Sequence, residues 1–572
     1  MKIRDIGKST AKASPHVPTK TYSEVTGKTT SPRILLTSVF GPYAQDDEFG
    51  SRLINPMELY QNQVTRGQGP FSIRRFHNSW GLLMIQENIS APCTVLDFPT
   101  LEAFKKELTS HHYDIVGITS IIVNVGKVKE MCSIVRKYSP HSKILVGGHV
   151  AAIPGLDKII DADHIVRGDG VSWMRRYLSE DHQAPINHPL VNSGFDLRLM
   201  GFPIPEIFLQ PSAVIIPSVG CPMGCNFCTT SAFFGGKGRS VIFYKTGREL
   251  FRVMCEAESS MKSQTFFVMD ENFLLNKQRA MELLELMKAE NKSWSFIVFS
   301  SANALRQYTM EELVELGVSI VWIGLESPNS TYVKLKDSDT RKLVRDLQAN
   351  GISVLGSTII GLEHHTPENI IEDIEYAASH ETDLHQFMLY TPMPGTPLYA
   401  ETEKRGLLLK DTDIADIHGQ YKFNFKHPNI SRDDSKRLLD WAFKREFELN
   451  GPSLYRMART LLKGWKRHKG HSDLRVRERF RRETGKMVFF NSALWAMEQM
   501  YKDKDKKMGE QICKVRLEVE EEFGLRYHIA RCLLGPVLLW TGLREEERLA
   551  NGFTYEPRMF IDRKNWVPER QS

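Results

Sequence analysis

Cys221-Pro222-Met223-Gly224-Cys225-Asn226-Phe227-Cys228 places three thiols within eight residues, directly after the apolar stretch 213–216. Thiolates are soft ligands that suit zinc, cuprous copper or iron–sulfur clusters, so the spacing alone names no metal. A closed structural zinc site takes four nitrogen or sulfur ligands, and no second CxxC pair or HxxxH lies nearby to complete one. Three ligands on a loop marked by Gly220, Pro222 and Gly224 leave a further position open for a small molecule. The other five cysteines, Cys93, Cys132, Cys255, Cys513 and Cys532, stand singly and read as small buried hydrophobes.

Working outward, residues 213–410 alternate strands and helices in the rhythm of a partial (β/α)6 barrel, whose chemistry belongs at the carboxyl ends of its strands. The cysteine loop follows the first strand. The strand 265–269 ends in Asp270-Glu271-Asn272-Phe273, whose acidic and amide groups can hydrogen-bond an ammonium. Strand 296–299 ends in Ser300-Ser301-Ala302-Asn303, and 319–323 leads into Gly324-Leu325-Glu326-Ser327. Strand 353–360 leads into Gly361-Leu362-Glu363, and 386–390, ending in Tyr390, precedes Thr391-Pro392-Met393-Pro394-Gly395-Thr396-Pro397.

The loop and these ordered turns resemble the radical S-adenosylmethionine superfamily. Its CxxxCx(aromatic)C loop holds a 4Fe-4S cluster whose open iron binds S-adenosylmethionine and cleaves it to a 5′-deoxyadenosyl radical. The resemblance implies that Cys221, Cys225 and Cys228 are cluster ligands and that Phe227 lies beside the adenine. It implies S-adenosylmethionine contacts for Asp270, Glu271, Asn272, Ser301, Glu326, Ser327, Gly361 and Tyr390. Glu271 departs from the family's DDNF segment, where a second Asp stands. No catalytic residue beyond the cluster is implied.

Before the barrel, residues 31–180 read as a parallel-sheet, Rossmann-like α/β domain. Strands are expected at 34–39, 115–119, 143–146 and 164–166, with a helix over 125–138. Their ends carry Phe40-Gly41-Pro42, Thr119-Ser120, Gly147-Gly148-His149 and Arg167-Gly168-Asp169-Gly170, where ligands of open α/β sheets bind. The order of elements and these turns resemble the cobalamin-binding domain of one branch of the superfamily. Phe40, Gly41, Thr119, Ser120, Gly147, Gly148, His149, Gly168 and Asp169 are then the expected cobalamin contacts. The DxHxxG motif that places a histidine beneath cobalt in many such domains is absent.

The chain of 572 residues is too long for one core. A tail is expected over 1–30, rich in Lys, Ser and Thr and disordered, then a linker over 181–212 and a mainly helical domain over 411–572. With 41% hydrophobic and 25% charged residues the composition is that of a soluble protein. No apolar run reaches the roughly 18 residues of a membrane span, residues 1–30 lack a signal-like apolar region, and the unpaired cysteines suit a reducing, cytoplasmic setting.

The net charge of +6 hides an asymmetry: residues 441–572 hold 28 Lys/Arg against 19 Asp/Glu, and 456–486 alone hold 12 against three. That block suits phosphate or anionic lipid and suggests peripheral membrane contact; nucleic acid is not expected as a partner. The resemblance implies a cobalamin-dependent radical enzyme that methylates an unactivated carbon of a lipid or other natural product. An external electron donor of flavodoxin or ferredoxin type would serve it. Ring closure, coupling or oxidation is the alternative outcome, and a non-catalytic cluster or cobalamin carrier is a third. A methylthiotransferase would need three further cysteines near its amino terminus, and Cys93 and Cys132 are too few.

Overall fold

A computed structural model describes residues 17–28, 31–52, 58–205, 211–325 and 339–566. Two six-stranded sheets organise the chain. In the amino-terminal sheet the order is Phe560–Lys564, Cys93–Asp97, Ile34–Thr37, Ile115–Thr119, Lys143–Gly147 and His164–Ile165. Every pairing is parallel except that of Phe560–Lys564 with Cys93–Asp97. Helices cover both faces, so the central strands are apolar throughout, and Ile34, Leu35 and Leu36 are all buried.

The second sheet runs Ser212–Ile215, Thr265–Val268, Ser295–Ser300, Val318–Gly324, Ser353–Ile360 and Leu384–Leu389 in chain order, all parallel. Alternation along each strand splits its side chains. Phe266, Val268, Phe296 and Val298 pack in one core with Leu283, Leu284 and Leu313 of the surrounding helices. Phe267, Phe299 and Trp322 point the other way, into the barrel, and stack in sequence at 5.8 and 5.0 Å. Capping boxes at Thr246/Glu249 and Thr309/Glu312 fix the starts of two outer helices.

Three expectations change. Within the tail, Tyr22–Thr26 form a helix capped by Thr21, with Tyr22 buried against Tyr177. The linker contains strands Phe195–Leu199 and Phe202–Pro203, which build an antiparallel sheet with Arg74–Phe76. The carboxyl-terminal region is helical from Arg432 to Ala550 but ends by returning to the first sheet. There Glu556 accepts hydrogen bonds from the Tyr43 and Ala44 amides at 2.9–3.0 Å, and Arg563 pairs with Glu107 at 2.8 Å.

The basic block is divided: Lys463, Lys466, Arg467, Lys469, Arg477, Arg481 and Lys486 are exposed, whereas Arg456, Arg475 and Arg479 are buried. Arg456 is fully buried, paired with Glu446 and donating to the Thr382 carbonyl at 2.6 Å. Arg479 donates to the Val314 carbonyl at 2.8 Å, and Arg482 to Ser293 Oγ at 3.0 Å and Gln264 Oε1 at 3.1 Å. Lys466 and Lys469 pair with Glu518 and Glu522. Arg456, Arg479 and Arg482 fasten the helical domain to the amino-terminal end of the barrel, so these three are not offered to a membrane. Among the described residues no helix is long and apolar enough to cross a membrane. The most exposed large apolar side chains lie on the helix Leu525–Ala550, where Leu525, Leu533 and Trp540 are 71%, 70% and 57% accessible.

Candidate cofactor site between the two sheets

The carboxyl ends of the two sheets face one another across a cavity of about 420 Å³. One wall is Gly117, Thr119, Gly147, Gly148, His149, Gly168 and Asp169; the other is Ile216, Val219, Met269 and Glu271 with Phe233 and Phe234. Backbone shape makes the first wall. Gly148 sits at φ +78°, and a Cβ there would fall 2.6 Å from both the Ser120 carbonyl and Thr119 Oγ1. The helix Trp80–Glu87 closes a third side, its start held because Ser79 donates from its amide and hydroxyl to the Asp97 carboxylate at 2.7 and 2.8 Å.

Several buried polar atoms at this cavity have no hydrogen-bond partner: Trp80 Nε1, His149 Nε2 and Glu271 Oε2, with Ser120 Oγ close behind them. Buried polar groups are nearly always paired, so this cluster marks a place that a polar ligand completes. Burial holds His149 down at about 4, so its ring is neutral, and it packs on Phe233 at 5.1 Å between centroids. Burial, with the Asp270 charge adding to it, pushes Glu271 up to about 7.

The cysteine loop borders this cavity through the helix Thr229–Phe233 that follows it. Cys221, Cys225 and Cys228 are all partly accessible. Gly220 and Gly224 take φ +84° and +67°, and a Cβ on Gly224 would come within 2.5 Å of Lys237 Cα. Burial pushes the Cys221 thiol up, and the charges of Cys225, Cys228 and Glu271 push it further, so the sulfurs share one electrostatic environment. Three thiolate donors on one loop suit an iron–sulfur cluster that leaves a further position open. The donor atoms of His364, His365 and Asp373 lie within 4.8 Å of one another, but His365 Nδ1 accepts from the Gly361 and Leu362 amides and Nε2 meets Asp373 at 2.7 Å, which consumes both ring nitrogens.

The remaining expected contacts divide. Phe227 meets Tyr390 edge to face at 6.4 Å, and the Leu398 amide donates to the Asn226 carbonyl at 3.0 Å, which ties the loop to the last strand and the helix after it. Asn272 Nδ2 donates to Ser301 Oγ at 3.3 Å, so those two adjoin. Gly361, at φ +77°, has Phe423 where a Cβ would stand. The Asp270 carboxylate accepts from Arg279 at 2.5 Å, Ser218 Oγ at 2.6 Å and the Asn272 amide at 3.1 Å, so it holds this turn together. Asp169 lines the cavity, yet its carboxylate caps a helix through the Val171 and Ser172 amides. Phe40 and Gly41 lie away from the cavity; buried Lys127 donates to the Phe40 carbonyl at 2.7 Å, and Gly41 abuts Tyr43. Glu326 and Ser327 fall outside the described residues. Trp80, Phe233 and Phe234 were not anticipated, because no glycine turn or motif marks them.

Residues 215–377 match the family described as the radical SAM superfamily. The bacteriochlorophyllide d C-8(2)-methyltransferase of Chlorobaculum tepidum is 25% identical over 57% of this chain and 75% of its own length. The hopanoid C-2 methylase of Rhodopseudomonas palustris is 24% identical over 58% of this chain and 63% of its own. Among solved structures, the radical S-adenosylmethionine methyltransferase TsrM of Kitasatospora setae, with cobalamin and a [4Fe-4S] cluster bound, aligns over 80% of this chain and all of its own, with 15% identity and a TM-score of 0.49. With the cysteine loop at the carboxyl end of the first barrel strand, the segment 215–377, which runs from that strand through the fifth, matches the radical SAM superfamily.

Proposed function

We propose that this chain is a cobalamin-dependent radical enzyme that adds a methyl group to an unactivated carbon of a lipid or other natural product. The observation that carries the reading is the cavity itself: two parallel sheets present their carboxyl ends to one space, with the cysteine loop at its border and unpaired polar atoms turned toward it. The names of the two methylating relatives support methyl transfer as the outcome.

When bound, the cluster and S-adenosylmethionine supply a hydrogen-abstracting radical and cobalamin supplies a methyl carrier, chemistry that belongs to the cofactors. The chain's own part is placement. Cys221, Cys225 and Cys228 would hold the cluster, and Asn272, Ser301, Phe227 and Tyr390 stand where S-adenosylmethionine would lie against the strand ends. Asp270 orients this region indirectly, fixing the Asn272 amide while Arg279 neutralises it. Gly147, Gly148, Thr119 and neutral His149 would cradle the corrinoid, and the apolar surfaces of Phe233, Phe234 and Met269 exclude water from between the cofactors. An external donor of flavodoxin or ferredoxin type would deliver the electron.

The test is anaerobic turnover of reconstituted protein with S-adenosylmethionine, cobalamin and extracts of the producing cells. Wild type is expected to release 5′-deoxyadenosine and to yield a product heavier by one CH₂, and Cys225→Ala to do neither. A product lighter by two hydrogens would replace methylation with oxidation or ring closure.

A further inference from the structure

A second cavity, of about 350 Å³, lies at the opposite, amino-terminal end of the barrel strands. Its walls are mostly apolar, with Phe267, Phe299 and Trp322 from the strands and Phe489 from the helix Met487–Tyr501. A polar layer roofs it toward the cofactor end, where Trp322 Nε1 donates to Ser357 Oγ at 2.5 Å and Ser357 Oγ to Gln386 Oε1 at 3.0 Å. The volume falls within the roughly 300–1,000 Å³ of small-molecule sites.

Two cations interrupt this apolar lining, Arg75 and Lys486, and among the described residues no carboxylate lines the cavity with them. Arg75 donates through Nη2 to Ser193 Oγ at 3.0 Å and toward the Gly194 carbonyl, while its Nε is buried without a partner. Gly194 admits this arginine, since a Cβ there would lie 2.4 Å from Nε. Burial holds the Arg75 guanidinium below its ordinary value, while Lys486 lines the cavity from a solvent-exposed position with Arg482 and Arg75 as like charges near it. The nearest opposing charge on Lys486 is that of Glu483, whose carboxylate already accepts from Ser295 Oγ at 2.5 Å. Two like charges beside an apolar lining repel one another, and an anion that joins them relieves the repulsion. The two cavities also share a wall: Trp80 lines the cofactor cavity, Phe267 lines this one, and the rings meet edge to face at 5.8 Å.

We propose that this cavity binds an amphipathic oxyanion, a molecule with an apolar body and one terminal carboxylate or phosphate. The body lies against Phe267, Phe299, Trp322 and Phe489, and the head group is met by Arg75 and Lys486. As a statement about the class of methyl acceptor this rests on the function proposed above; as a binding site it is measurable without turnover.

Calorimetric titration of the full, cluster-reconstituted chain with dodecanoate, dodecyl phosphate and dodecanol tests it. At least one anion is expected to bind about tenfold or more tightly than dodecanol, and which anion binds identifies the head group. Arg75→Gln/Lys486→Gln, and Lys486→Gln alone should the double variant misfold, are expected to weaken the anion about tenfold and leave dodecanol unchanged, with Lys486→Arg restoring it. Equal affinity for dodecanol, no binding of either anion, or unchanged binding by a folded Lys486→Gln variant would overturn the proposal. Cobalamin binding and 5′-deoxyadenosine release are read on the same samples. Their loss alongside intact anion binding would refute the proposed function and leave this site standing.

Discussion

The two cavities of this barrel are built by different means. The one between the sheets is made of turns: glycines at strand ends, a neutral histidine and polar atoms awaiting partners. The one at the far end is made of side chains brought from four parts of the chain, the strand Arg74–Phe76, the barrel, the linker strands and the helical domain. A site made of turns depends on backbone conformation and tolerates little change of residue, whereas one made of side chains depends on how well distant elements are fastened together.

That difference predicts which perturbations separate the two. The largest effect is expected from Arg456→Met, which leaves Glu446 buried without its partner on the helix that also supplies Leu454 and Met457 to the far cavity. Breaking a buried pair costs about 3–5 kcal/mol. Denaturant titration should show that loss and weakened amphiphile binding, with cobalamin binding kept in the fraction that remains folded. Equal loss at both cavities would erase the distinction.

A smaller effect, on the cofactor side, is expected from acid. Burial holds His149 and His188 at about 4, and His188 Nε2 accepts from the Ile216 amide at 2.9 Å on the wall of the cofactor cavity. Both rings are neutral when folded and bind protons on unfolding, so the unfolded state holds more protons between about pH 6.5 and 4. Their contribution is complete above about pH 6.5 and is lost as pH falls toward 4, up to about 3 kcal/mol for each group. Thermal melts across that window should fall more steeply for wild type than for His188→Gln. Parallel slopes would remove His188 from this account.

The sequence shows the turn-built site far better than the side-chain-built one. Strands Ile115–Thr119 and Ser353–Ile360 and the helix Val125–Tyr138 are legible to the residue, because apolar runs end in glycine or small polar residues. Gly148, His149 and the cysteine loop are legible for the same reason. Asp270 is visible as a residue but not in its role, since Arg279 and Ser218 claim its carboxylate only once the chain folds. The strand Phe560–Lys564 gives no local sign that it joins a sheet begun at Ile34, and pairing over that separation is written in no short window. The basic block is legible in part: Lys463, Arg467 and Arg477 are exposed as a charged surface would be, yet Arg456, Arg475 and Arg479 are buried, which no local pattern distinguishes.

The central claim, that the space between the sheets holds a corrinoid beside the cysteine loop, is tested most directly by equilibrium dialysis of cobalamin against wild type and Gly148→Val. A valine there would need φ +78° and would place a Cβ 2.6 Å from the Ser120 carbonyl, so the cradle must distort. The account predicts one cobalamin per wild-type chain and none on a folded Gly148→Val variant that still holds its iron. Wild-type protein that loads iron and binds no cobalamin would contradict it.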